Sequence, residues 1–140
     1  MNRSKLLQAT VRSEYPSRKG WRVLNRQPTG CRLRKEKPPS AMAQLEVVDP
    51  DDPDPVRAVL AAFGRLMISW QDPPGLELVL VLPDMRRWLD AVALLTVRAH
   101  RHFNLRIVSV DLTTRPAWVR THDLWGYTWG NGISSEELEM

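Results

Sequence analysis

The chain has 140 residues, 43% hydrophobic and 26% charged, with a net charge of +4. That is one domain's worth of ordinary globular sequence, and no apolar run approaches the ~18 residues of a membrane-spanning helix. A single cysteine, Cys31, excludes an internal disulfide and any cysteine-based zinc spacing, and fits a reducing, cytoplasmic setting.

The charge is unevenly distributed. Residues 1–41 carry 11 basic side chains against Glu14 and Glu36, a net +9, whereas residues 42–140 carry nine arginines and no lysine against 14 acids, a net −5. A basic arm, 1–41, therefore precedes a mildly acidic α/β body, 42–140. Residues 1–19 show no sustained periodicity, and Pro16 interrupts a helix begun at Lys5. GWRVL and CRLRK then alternate around NRQPTG, predicting a hairpin over about residues 20–35. Its alternation groups Trp21 and Val23 with Cys31 and Leu33, and places Arg22, Arg32 and Arg34 on the opposite face with Leu24. Three roles suit such an arm: a solvated basic tail, a nucleic-acid contact, or an Arg-rich targeting segment. No signal-peptide pattern precedes it, and Met42, directly before the body, is an alternative start.

AQLEVVD (43–49) predicts the first body strand, and DPDDPDP the loop after it. Asp54 followed by Pro55 is an N-cap with proline at the first helical position. The helix that follows runs to about Trp70, with Val56, Val59, Leu60, Phe63, Leu66, Met67 and Trp70 in one stripe. LELVLVL (76–82) is apolar on both faces apart from Glu77, the pattern of a central strand covered on both sides. Asp84 is positioned to cap a second helix, Met85–Phe103, with Leu94 and Val97 interrupting its polar face and Asn104 as a left-handed terminator. LRIVSVD (105–111) is the third body strand. AWVRT and LWGYTW then suggest a C-terminal aromatic hairpin, in which Trp125, Tyr127 and Trp129 share one face. The expected fold is a small β-α-β-α-β body in two or three layers, with an α+β mixed sheet as the alternative.

Candidate chemistry follows from that order. Adjacent parallel strands would bring Asp49, Asp84 and Asp111 to one sheet edge, where carboxylates hold Mg²⁺ in phosphoester chemistry. The set lacks a body lysine to complete it, and Asp84 and Asp54 already serve as caps. His100 and His102 lie two apart on a helix and diverge, and His122–Asp123 reads as turn chemistry. No nucleophile motif or phosphate-cradling glycine loop is present. What remains is a basic and aromatic set: Trp21, Arg22, Arg26, Arg32 and Arg34 in the arm, and Arg115, Arg120, Trp125, Tyr127 and Trp129 near the C-terminus. The sequence thus favours a small non-enzymatic binding, adaptor or regulatory protein that engages nucleic acid, or a nucleoprotein or protein partner, through a basic arm and an aromatic surface. The alternative is a small Mg-dependent enzyme using Asp49, Asp84 and Asp111.

Overall fold

The computed structural model describes residues 2–95 and 101–122. Six strands form one mixed sheet in the order β1-β2-β3-β4-β5-β6: β1 (Trp21–Arg26), β2 (Gly30–Lys35), β3 (Ala41–Val47), β4 (Glu77–Pro83), β5 (Leu105–Asp111) and β6 (Trp118–His122). The strands β3, β4 and β5 are parallel, as the strand–helix–strand pattern predicts, and β1, β2 and β6 extend the sheet antiparallel at its two edges. The small α/β fold is therefore present, in three layers. Helices α2 (Pro55–Ser69) and α3 (Arg86–Val92) cover one face, and α1 (Arg3–Glu14) covers the other.

The pleat of β4 explains why both covers exist. Leu78, Leu80 and Leu82 enter the core under α2 and α3, while Val79 and Val81 point the opposite way, toward α1. The α1 side is completed by Leu6 and Leu7 from the helix, Cys31 and Leu33 from β2, Leu45 and Val47 from β3, and Val108 and Val110 from β5. The basic segment thus contributes a helix and two strands to the same sheet.

A helix at Arg3–Glu14 is a departure from expectation. Asn2 caps it, accepting from the backbone N–H of Ser4 (2.7 Å) and Lys5 (3.3 Å). Its buried face is only Leu6, Leu7 and Thr10, and the Thr10 hydroxyl is satisfied by the Leu6 carbonyl (2.9 Å). Pro16 follows the end of this helix and does not interrupt it, a common position for proline beyond a C-cap.

The other side of α1 is anchored by a polar network at the amino ends of β4 and β5. Tyr15, buried just past the helix, donates to Glu77 (2.9 Å), and Arg106 donates to the Tyr15 oxygen (3.2 Å) and to Glu14 (2.9 Å). Thr121 on β6 donates to the same Glu14 oxygen at 2.9 Å. Glu77, the one acid in an otherwise apolar strand, thereby has its partners.

The hairpin register agrees with the sequence: Val23 opposes Leu33 and Arg22 opposes Arg34, with a bulge at Leu24. Gly30 is obligatory, because a Cβ there would lie 1.9 Å from the Leu45 carbonyl oxygen. Asp54 caps α2 through the Arg57 N–H (3.2 Å), and Asn104 has φ 53°, both as expected. Val59, Phe63, Leu66, Met67 and Trp70 of the expected α2 stripe meet the core, Ala58 and Ala62 join them and allow close approach to the sheet, and Val56 and Leu60 are turned outward.

The helix expected over Met85–Phe103 is not continuous among the described residues. Its first part, α3, ends at Val92, where Leu94 N–H bonds to the Ala91 carbonyl and Leu95 N–H to the Val92 carbonyl, the tightened pattern of a finishing turn, and Arg101 and His102 are helical again. Leu94 is exposed, and Val97 and His100 lie outside the described residues. Asp84 does not cap α3. Met85 occupies that position without a side-chain bond, and the Asp84 carboxylate turns instead toward β5 and β6.

The Tyr15 network makes stability depend on alkaline pH. Burial, then the neighbouring Glu77 charge, raises the phenol well above its ordinary value. The fold therefore holds the neutral form, and this contribution is complete below the unfolded tyrosine pKa of ~10 and is lost as pH rises past it. Tyr15→Phe should cost about 1 kcal/mol at neutral pH and flatten the loss of stability at alkaline pH. Denaturant melts across that range check this, and equal pH dependence in both proteins would refute it.

Candidate functional site

Three places hold the residues that the sequence singles out. At the carboxyl ends of β3, β4 and β5, the carboxylates reach the same sheet edge but each is engaged by protein groups, Asp49 and Asp111 within their own loops and Asp84 across the sheet. Asp49 accepts from the Asp51 N–H (3.0 Å), and Asp111 accepts from the N–H (2.9 Å) and hydroxyl (2.6 Å) of Thr113. Those Thr113 hydrogen bonds hold the Asp111 carboxyl below the usual range. Asp84 pairs with Arg120 at 3.1 Å. Among the described residues no three His, Cys, Asp or Glu side chains are grouped to hold a metal ion.

The same edge contains a cluster that motif reasoning missed. Ser109, fully buried in β5, has its hydroxyl 2.7 Å from Nε2 of buried His122 and 3.3 Å from Asp84 Oδ1. Arg120, opposite Ser109 on β6, reaches the other Asp84 oxygen. His122 is therefore a core residue at the end of β6, not part of a turn. Serine, histidine and aspartate do come together, yet Ser109 is mid-strand without exposed surface, and Asp84 faces the serine. The arrangement ties the loop after β4 to β5 and β6. A sequence signal existed: strand alternation puts Ser109 on the same face as Leu105 and Ile107, and a lone hydroxyl on a core face needs partners.

The third place is a groove of about 580 Å³ between α1 and the edge strand β1, on the α1 face of the sheet. Leu33 lies in its floor. Val11, Arg12 and Tyr15 come from α1 and the residue after it, Arg18 from the 3₁₀ turn Ser17–Lys19, and Trp21 and Arg26 from β1. Four arginines line it, and no acidic residue does. Trp21 is half-buried, and its ring meets Tyr15 edge to face with centroids 4.8 Å apart and planes at 89°. Arg22 borders the groove, but its guanidinium pairs with Glu36.

Of the basic and aromatic set, the structure brings Trp21, Arg22 and Arg26 together here. Arg32 donates to Gln44 (2.9 Å) on the opposite face of the sheet, and Arg34 lies exposed beside it. Arg115 and Arg120 are at the far edge, where Arg120 also sits over the Trp118 ring. Trp125, Tyr127 and Trp129 lie outside the described residues. The sequence missed Arg12, Tyr15 and Arg18, whose place in the groove depends on α1 docking against the sheet.

Two measurements probe these surroundings. Ser109→Ala removes the hydroxyl shared by His122 and Asp84 and should lower stability by roughly 1–3 kcal/mol; an unchanged melt would show that the cluster contributes nothing. Burial pushes the Cys31 thiol up to about 11, with Arg26 opposing the shift. It should resist a thiol-specific reagent at mildly alkaline pH until the protein is unfolded, and prompt labelling of the native chain would contradict its burial. Comparisons of the chain with protein-family models, with curated proteins and with solved structures found no match.

Proposed function

We propose that the chain is a non-enzymatic nucleic-acid-binding protein of regulatory or adaptor type, and that the groove between α1 and β1 is its contact surface. The observation that supports this most strongly is the placement of Arg12, Arg18 and Arg26 around one concavity lined by no acid. Among the described residues these three guanidinium groups make no hydrogen bond or ion pair, unlike Arg22, Arg57, Arg65 and Arg106. Unpaired arginines in a concavity supply phosphate affinity without sequence preference. Edge-strand protection is a competing explanation for basic residues on β1, since charge blocks pairing with another chain. It accounts for Arg22 and Arg26 but not for Arg12 and Arg18, which approach from the other wall.

The compartment that suits this role is the cytoplasm, where a sole cysteine remains a thiol. Among the described residues no helix is long and apolar enough to cross a membrane.

The test is fluorescence anisotropy of a labelled oligonucleotide across a salt series. Binding should weaken steeply with salt, and Arg12→Ala/Arg18→Ala/Arg26→Ala should reduce the log–log slope by roughly 0.7–0.9 for each phosphate no longer neutralised. Arg34→Ala, on the opposite face, should leave the slope unchanged. Salt-insensitive binding, or a slope the triple variant does not alter, would remove the nucleic-acid role and leave a protein partner.

A further inference from the structure

The lining of the groove is not uniformly charged. Between the arginines lie apolar and aromatic surfaces: Val11 on one wall, Leu33 in the floor, and Trp21 on the other. A duplex presents mainly phosphates to a protein wall, so it would satisfy the arginines and leave this apolar lining facing water. A strand with free bases alternates anionic phosphate with flat apolar ring, which is the pattern of the groove itself.

Trp21 is held in place for such a role. Its ring abuts Tyr15 edge to face, and Tyr15 is fixed in turn by the hydroxyl bond to Glu77 and the Arg106 contact. A platform fixed before binding loses little freedom when a base stacks on it. The volume, about 580 Å³, falls within the roughly 300–1,000 Å³ of sites that enclose small organic ligands, the size class of a nucleotide unit. We infer that the groove takes a single strand, with phosphates on Arg12, Arg18 and Arg26 and a base against Trp21. This rests on the nucleic-acid role proposed above and adds the form of nucleic acid and the stacking residue.

The experiment uses the full chain and three labelled probes of equal length at one salt concentration: an oligothymidylate, an abasic strand with the same phosphates, and a duplex. The oligothymidylate should bind about tenfold or more tightly than the abasic strand, the magnitude of base stacking on an aromatic ring. Trp21→Ala should bring oligothymidylate affinity down to that of the abasic strand and leave the abasic strand unaffected. The probe comparison is made on the native chain, so it decides the matter even where the variant fails to fold. Equal affinity for the abasic and thymidylate strands, or tighter binding of the duplex, would overturn the single-strand assignment while leaving a phosphate-binding groove. No binding of any probe would overturn both.

Discussion

The structure depends on a central strand that is apolar on both faces. A strand such as β4, with leucines on one side and valines on the other, is stable only if each face is covered. The covers differ in kind. Helices α2 and α3 close the leucine side with an extensive apolar contact that includes Trp88, the largest fully buried side chain. A single short helix, α1, closes the valine side with few apolar residues of its own and completes its attachment through Glu14, Tyr15, Arg106 and Glu77. Because α1 is narrower than the sheet it lies on, the outer strand β1 is only partly covered, and the groove is the space left over.

Charge follows the same division. The polar contacts that hold the sheet together are matched pairs: Glu46 with Arg65 and Thr29 beneath α2, Asp84 with Arg120 beyond β4, and Arg106 with Glu14 at the end of α1. Residues 1–41 give only Glu14 and Thr29 to those contacts and none of their basic side chains, and part of their net positive charge is gathered at one wall-to-wall gap. Unpaired like charges in proximity repel one another, and their arrangement around a concavity offers an anion a site where that repulsion is relieved.

The elements whose signal is local were legible in the sequence. Asp54–Pro55 at the start of α2, Asn104 before β5, the doubly apolar β4 and the parallel β3-β4-β5 unit all follow from neighbouring residues or short periods. Helix α1 was not, because its buried side is short, includes a threonine, and gains its stability from the sheet it contacts. The groove was half legible. Hairpin alternation already placed Trp21 and Leu33 together, but Arg12 and Arg18 join them only through tertiary docking. Asp84 shows the reverse failure: a residue well suited to cap a helix was claimed by Ser109 and Arg120, which are distant in sequence and close in space.

The bond between Thr121 and Glu14 joins residues separated by 107 positions. It connects the last described strand to the helix that forms one wall of the groove. During synthesis the basic residues emerge long before β4, β5 and β6 exist to seat α1, so the early chain carries the charge without the concavity. Contacts of such long range form late and slow the folding of a sheet protein. The groove is therefore assembled by the whole sheet, and its presence reports that the chain has closed from β1 to β6.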